Sequence, residues 1–500
     1  MVSSIYEKGC RAPEWELWAP VNLWRFNPYS IAASERTHFL PRYQTPTCLA
    51  YFRQSSKAKQ RPTKHFFADP GGKSENDGTG KNSPGRIHYR TMLATPELMR
   101  EAAQLAWVEK LLTRWRDVPL YRGSRAEEFF RRPLIGKREL RENFPHNFLR
   151  AGQDLDALLA AKTVELEHTS GSSEERTAVL FGRGWWNEQE SRVLRLNGFV
   201  AQVLEAHPRA RRAALVPPVC NGLVCFSNYT AKSARTVEQT RFVNQARIPF
   251  LLTDEDCARM AEEIGEWAPQ FLDVDPVHGA WFARYCERKA VRFPSVKFIL
   301  CSYEFMSVAH RKILQRAFGV PVFNLYGTTE TGHLLMEDEH GEMKASVENV
   351  FYEVVEPDAR GVGSLVVTTL TNDVMPLVRY RVGDLVARRE RPYATAYEVH
   401  GRAGDTLRRA DGQLVTTLDV DRCFAPADGI LHYQLRQSEN GDCQLRFIPD
   451  REPPTAERLA ELTGHLRELL QGEQVISTEE VKLLPPLPSG KFRLACRVGA

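Results

Sequence analysis

Five short segments of this 500-residue chain carry residue types whose spacing suits chemistry on a phosphorylated ligand. The first is "TSGSS", Thr169, Ser170, Gly171, Ser172 and Ser173, where hydroxyl donors flank an open glycine backbone. Such a cluster suits tetrahedral phosphate oxygens, although an ordinary turn has the same composition. The second is "NLYGTTETG", Asn324 to Gly332. Here Tyr326 offers a ring to a flat base, Thr329 a hydrogen bond to phosphate and Glu330 a hard oxygen for Mg2+, with Gly327 and Thr328 between them. The third is "MPLVRYRVGDLV", Met375 to Val386, in which Asp384 follows a glycine and could accept both hydroxyls of a ribose. A competing reading makes Asp384 a turn residue or the ion-pair partner of Arg379 or Arg381. The fourth, "VHGRAGDTLRRADGQLV", holds Arg402 and Asp405, and the fifth, "PLPSGKFR", holds Lys491. A single Gly-Lys near a carboxyl terminus ordinarily reads as exposed and inert.

The elements that must position these residues follow from periodicity. "TPELMREAAQLAWVEKLLTRW" has a Thr-Pro start and apolar residues near helical spacing. "KTVELEH" precedes the first segment as a strand. Strands are expected at "AALVPP", "VKFILCSY" and "PVFNLYG", and helices at "DEDCARMAEEIGEWAPQFL" and "SVAHRKILQRAFG". That alternation argues for βα units on a mainly parallel sheet, whose strand carboxyl ends are where open α/β sheets bind ligands. Past Gly361, "GSLVVTTL", "PLVRYRVGDLVAR" and "YEVHGR" alternate with period two, as an added antiparallel sheet or small barrel would. The fold class is therefore α/β, with a large body over 92–400 and a small α+β unit over 401–500 that carries the helix "PTAERLAELTGHLRELLQG".

Bulk properties narrow the function classes. The net charge of +4 is local: residues 1–91 hold 14 Lys or Arg against 7 Asp or Glu, and the rest 53 against 56. A nucleic-acid-binding body is not indicated. Residues 1–91 read as a poorly ordered basic extension, rich in Gly, Ser, Lys and Pro after Gln54, and Met92 is an alternative start. No run of apolar residues suffices for a membrane span, and no secretion signal is visible. Ten scattered cysteines without a CxxC pair point to a reduced, cytoplasmic protein.

Taken in order, the five blocks resemble the adenylate-forming superfamily, within it the phenylacetate–CoA ligase-like, CapK-like and coenzyme F390 synthetase-like branch. The likeness covers roughly 92–500 and is sharpest at "YGTTE", "GSLVVTTLTNDVMPLVRYRVGDL" and "GRAGD". It implies a ligase that uses ATP and Mg2+ to activate a carboxylic acid as an acyl adenylate, then transfers it to a thiol, coenzyme A first. By the resemblance, Lys491 is the catalytic lysine and Glu330 the metal-side carboxylate. The nucleotide would be held by Thr169–Ser173, Tyr326, Gly327, Thr328, Thr329, Asp384 and Arg402, and Asp405 would be the hinge. Gly222, Phe226 and Tyr229, with Val224, match the acyl pocket by position and imply an aromatic or otherwise apolar acid. Alternatives are delivery to a carrier protein, an amine or a hydroxyl, and a non-catalytic nucleotide-binding relative. The partners implied are a small carboxylic acid and, as options, a carrier protein and a second copy in a homodimer.

Two departures from the family pattern stand out. Glu174 takes the place of a second glycine, followed by Glu175 and Arg176. Acids there would face a tri-anion unless they turn to solvent and leave Arg176 to the β- and γ-phosphates, which is the reading favoured by the other nucleotide blocks. Secondly, "HLLMEDEHGEMK" offers His333 and His340 without cysteine, and reads as an exposed acidic loop rather than a zinc site. If the acids of the first loop point away, Glu174→Gly leaves ATP affinity within about threefold, or roughly 0.7 kcal/mol, by calorimetry. A gain of about tenfold or more shows that the carboxylate obstructs the phosphates.

Overall fold

The computed structural model describes residues 96–122, 126–169, 176–218, 231–390, 395–472 and 474–498. The extension read over 1–91 lies outside them. Helix α1 (Pro96–Trp115) buries Val108, Leu111, Leu112 and Trp115, one stripe at helical spacing. Short helices α2 (Lys137–Arg141) and α3 (Leu155–Ala160) lead into a hairpin of β1 (Val164–His168) and β2 (Ala178–Gly182). Then follow α4 (Trp185–Leu194), α5 (Gly198–Ala206), β3 (Arg212–Leu215), β4 (Thr236–Val237) and β5 (Thr240–Phe242). The alternation continues through α6 (Asp254–Trp267), β6 (Phe271–Val274), α7 (Pro276–Arg288), β7 (Phe298–Cys301), α8 (Val308–Phe318) and β8 (Val322–Thr328).

Helices α6, α7 and α8 each start on a side-chain cap. Thr253 and Asp256 form a capping box on α6, Asp275 caps α7 ahead of Pro276, and Ser307 caps α8. The helix expected to run on to Leu272 stops at Trp267. Ala268 turns left-handed (φ 46°) before Pro269, and Phe271 opens β6. Strands β6 and β7 are buried on both faces, so they lack the period-two signature that marks a half-buried strand.

Strands β5, β3, β6, β7 and β8 run parallel. At β8 the sheet changes sense. It continues antiparallel through β9 (Gly332–Glu337), β10 (Met343–Ala345), β14 (Ala396–Arg402), β13 (Tyr380–Arg389), β12 (Val362–Thr369) and β11 (Val350–Val355), twelve strands in one sheet with β4 at the other edge. The antiparallel part is thus joined edge to edge with the βα part. The segment expected to be an exposed acidic loop is the β9–β10 hairpin, in which Leu334 to Asp338 are buried. Its strand residues fill the core beside α4, so apolar contact outweighs the acidic composition. Among the described residues no helix is long and apolar enough to cross a membrane.

Past β14 come a small ribbon, β15 (Leu407–Arg408) with β16 (Leu414–Val415), and α9 (Thr417–Cys423). A four-stranded sheet follows in the order β19 (Ile476–Glu480), β18 (Cys443–Pro449), β17 (Ile430–Gln437), β20 (Ala495–Arg497), with α10 (Ala456–Leu470) against it. Its core of Val420, Phe424, Leu435, Leu445, Leu462 and Leu466 is separate from that of the large sheet, while Leu431, Ile448 and Leu484 join the apolar cluster of α7 and α8.

Helix α8 is the seam between these parts. Asp421 accepts from Val308 N at 3.0 Å and from the Tyr433 hydroxyl at 2.7 Å. The His310 and His432 rings stack, with Nε2 and Nδ1 3.2 Å apart, and Arg316 pairs with Asp450 at 2.6 Å. Burial pushes the Asp421 carboxyl up to about 6, which the Tyr433 and Val308 hydrogen bonds offset only in part. Burial pulls His310 down to about 4 and His432 well below its ordinary range.

These shifts oppose one another. The raised carboxyl contributes stability below its unfolded pKa that is lost as pH rises through about 6. The depressed imidazoles contribute stability above their unfolded pKa that is lost as pH falls toward about 4. Asp421→Asn removes only the first effect. Between pH 7 and pH 4 the variant therefore loses roughly 2–3 kcal/mol more than the parent, read by urea unfolding at a series of pH values. Parallel pH profiles contradict a buried, protonated Asp421.

Candidate active site

The change of sheet sense at β8 places chemistry-bearing residues around one opening. Gly327 lies where β8 doubles back onto β9 so closely that a Cβ would sit 2.4 Å from the Gly332 carbonyl oxygen, and only glycine fits. Tyr326, one residue earlier, donates its hydroxyl to Asp384 Oδ2 at 2.6 Å. Asp384 reaches that position because Gly383 takes a left-handed turn within β13 (φ 97°). Arg402 stands directly across the β13–β14 ladder, with its Nε 3.7 Å from Asp384 Oδ1. Arg379 and Arg381, the other candidate partners of Asp384, are engaged elsewhere, with Glu353 at 2.8 Å and Glu356 at 3.1 Å.

The carboxyl-terminal segment closes the opening from the other side. A cavity of about 270 Å³ is lined by Tyr326, Gly327, Asp384, Arg402, Asp405 and Lys491, among others. It sits beyond the carboxyl ends of β6, β7 and β8, the edge at which parallel sheets bind ligands. Asp405 pairs with Arg493 at 2.9 Å, which ties the turn after β14 to the residue two beyond Lys491. Glu304, in the loop after β7, accepts the Phe492 backbone N–H at 2.8 Å.

Charge in the cavity is mixed and strongly perturbed. Burial and then the Asp384 carboxylate raise the Tyr326 hydroxyl well above its ordinary range, so it stays a donor. Burial draws the Arg402 guanidinium down, but Asp384, Tyr326 and Asp405 outweigh it and hold the group above its usual value. Burial raises the Asp405 carboxyl, against the pull of Arg493 and Arg402. Glu304 is pushed well above the carboxylate range by burial and by Asp275, which Phe492 N–H, Lys491 and Arg402 only partly offset.

Not every residue read from the sequence faces this space. Glu330 is 4% exposed and is not on the cavity wall. Its Oε1 lies 3.3 Å from Lys137 Nζ and accepts from the Tyr380 hydroxyl at 3.1 Å. Burial raises this carboxyl, yet Lys137 and the hydrogen bonds leave it below its ordinary value. The one carboxylate assigned to a cation is thus already neutralised. Among the described residues, no group of three His, Cys, Asp or Glu could hold a metal ion. Thr328 shares a hydrogen bond with Thr331 at 2.9 Å, and Thr329 is half-buried next to them.

Thr169 ends the β1–β2 hairpin, its hydroxyl accepting from Thr177 N at 3.1 Å, and Arg176 is exposed. Ser170, Gly171, Ser172 and Ser173, with Glu174 and Glu175, lie outside the described residues, as do Gly222, Val224, Phe226 and Tyr229. Glu304, Lys137 and Tyr380 were not anticipated as parts of the site. Tyr380 stands inside the "RYRVGD" block and could have been flagged; Lys137 and Glu304 stand in segments with no distinguishing pattern.

No family model matches the chain. It is 28% identical over 165 residues to a phenylacetate–coenzyme A ligase of Thermus thermophilus, which covers 30% of this chain and 37% of that protein. It is 22% identical over 264 residues to protein CapK of Staphylococcus aureus, covering 51% and 58%. The chain therefore matches over 37% and 58% of the length of these curated relatives. Among solved structures it is similar to a 2-hydroxyisobutyryl-CoA ligase in the postadenylation state in complex with R3-HIB-AMP, with a TM-score of 0.58 at 16% identity over 79% of this chain and 90% of that one. An open conformation of that ligase in complex with 2-HIB-AMP and CoA matches with a TM-score of 0.51 at 16% identity, over 81% and 93%. The chain is thus similar over part of its length to a phenylacetate–coenzyme A ligase and to CapK, and it shares the fold of the 2-hydroxyisobutyryl-CoA ligase structures.

Proposed function

We propose that this chain is a ligase that activates a carboxylic acid with ATP and passes the acyl group to a thiol, coenzyme A being the first choice. One observation carries the reading: Lys491, near the end of the chain, lines the same cavity as Tyr326, Asp384 and Arg402 from three strands of the large sheet. In the first step a carboxylate oxygen attacks the α-phosphorus, and the bond from that phosphorus to the pyrophosphate oxygen breaks. In the second, the thiol sulfur attacks the acyl carbon and AMP leaves.

The first step brings two anions together. At about 4 Å, unit charges repel by roughly 4 kcal/mol at an effective dielectric near 20. The Lys491 ammonium, between carboxylate and α-phosphate, removes that repulsion and stabilises the charge of the transition state. Asp384 accepts the ribose hydroxyls in place of the Tyr326 hydroxyl it now holds, and the Tyr326 ring stands beside the base. Arg402, with its Nε 3.7 Å from Asp384 Oδ1, holds that side chain in place for the task. The acid itself needs no general base, being ionised near neutral pH.

Mg2+ belongs to the proposal as the counter-ion of the triphosphate and not as a protein-held ion, because Glu330 is already paired with Lys137. Binding a metal at Glu330 would require Lys137 to swing away. The proposed hinge is Asp405, between a body over 92–400 and a unit over 401–500, so that closure of the smaller part delivers Lys491. An aromatic or apolar acid remains the expected substrate from Gly222, Phe226 and Tyr229. Coenzyme A as acceptor is supported by the names of the Thermus relative and of the similar ligase structure. The cytoplasm is the proposed compartment, in keeping with free, buried cysteines such as Cys257, Cys286 and Cys301.

Two substitutions test this reading with a panel of acids. Lys491→Ala lowers acid-dependent pyrophosphate release by about a hundredfold or more while ATP binding changes by less than about tenfold. Release that is independent of Lys491, or absent with every acid, overturns the ligase assignment. Asp384→Ala weakens ATP binding by roughly tenfold, about 1.4 kcal/mol, in calorimetry. Unaltered affinity removes Asp384 from the nucleotide site.

A further inference from the structure

The loop Leu487–Arg493 that presents Lys491 is folded on itself, with Leu487 N donating to Lys491 O at 2.8 Å and Gly490 N to Leu487 O at 2.9 Å. The large body grips it at two places. Exposed Arg247 donates to the carbonyl oxygens of Leu487 at 3.1 Å and Pro488 at 2.5 Å, at the far end of the loop from the lysine's neighbour. Glu304, 188 residues earlier in sequence, accepts the N–H of Phe492 at 2.8 Å. Phe492 also seats its ring against Phe250 and His432, at centroid distances of 5.5 and 5.1 Å.

Of these contacts, only that of Glu304 is made to the residue adjoining the lysine by a side chain that itself lines the cavity. We propose that Glu304 is a positioning residue, a latch on the Phe492 backbone that holds Lys491 in its reach toward the reacting phosphate. The inference rests on the ligase reading for what the lysine does, and on the geometry alone for the latch. A backbone N–H is a fixed donor whose direction sets the course of the chain on either side. Anchoring it fixes where the Lys491 Cα sits, and the four-carbon side chain then has a short arc to search.

The hydrogen bond needs only an acceptor oxygen, and burial together with nearby Asp275 favours the neutral form of this carboxyl. Glutamine is therefore a close substitute and alanine is not. The latch also distinguishes the two half-reactions. Attack on the α-phosphorus needs the lysine in place, whereas attack of a thiol on a finished acyl adenylate does not. Glu304 thus acts on the first step through Lys491.

The test uses the full chain and its Glu304→Ala and Glu304→Gln variants. Hydrogen–deuterium exchange is expected to rise by on the order of tenfold at residues 487–494 in Glu304→Ala, to return to the parent rate in Glu304→Gln, and to stay unchanged in β17 and β18. With phenylacetate as the probe acid, kcat for pyrophosphate release falls by on the order of tenfold in Glu304→Ala with the KM for ATP unmoved. Thioester formation from synthetic phenylacetyl adenylate and coenzyme A stays at the parent rate. Exchange at 487–494 equal to the parent in Glu304→Ala overturns the latch, and so does an equal fall in both half-reactions or a failure of glutamine to restore protection. If the parent protein releases no pyrophosphate with any acid, the ligase reading fails while the exchange data still decide the latch.

Discussion

The arrangement of the site depends on one constraint: β8 must leave a parallel neighbour, β7, and turn back at once onto an antiparallel one, β9. The chain reverses just past Thr328, and beside that turn, at Gly327, backbone approaches backbone too closely for any side chain. The reversal fixes Tyr326 at the mouth of the sheet, within 2.6 Å of a carboxylate that arrives from β13. The antiparallel half then brings Arg402 across the ladder from Asp384. A tyrosine, an aspartate and an arginine from three strands are held by backbone pairing, not by flexible loops, which is the condition for a preorganised site.

A second constraint operates at α8. The carboxyl-terminal sheet shares apolar residues with α7 and α8, and it buries two imidazoles and a carboxyl at the join. Groups of this kind cost energy when they ionise in place and none when water reaches them. A seam of that composition is therefore neither a permanent core nor a loose surface. Apolar contact holds it closed, while the buried titratable groups limit how firmly. This balance suits the movement of Lys491 into and out of the cavity that the ligase proposal requires.

Much of the fold was legible because its signals are local. Thr-Pro and the serine of "SVAHRKILQRAFG" mark helix starts, and period-two alternation marks the first half of β13; β12, read as alternating, is instead buried along nearly all its length. The blocks around Tyr326 and Asp384 were legible from their order along the chain, and the structure brings them to one cavity with Lys491. What was not legible is long-range. Nothing near Glu330 announces that Lys137, almost two hundred residues earlier, will neutralise it. Nothing in "SYEF" announces that Glu304 meets Phe492. The β9–β10 segment looked solvated because its charges were read without the tertiary contacts that bury Leu334 to Asp338. The joining of parallel and antiparallel strands into one sheet likewise depends on β8 pairing with β9, which no local period encodes.

The claim beneath all of this is that an ammonium group from the end of the chain stands beside the phosphates of a nucleotide held by the large sheet. Adenosine 5′-carboxaldehyde, an adenine nucleoside whose aldehyde lies beside the position of the α-phosphate, forms an imine with a nearby lysine that borohydride makes permanent. Peptide mapping of the treated protein is expected to find the label on Lys491, with ATP suppressing it in proportion to occupancy. Label confined to other lysines under ATP-protectable conditions, with Lys491 untouched, would contradict the shared cavity as the site of nucleotide chemistry.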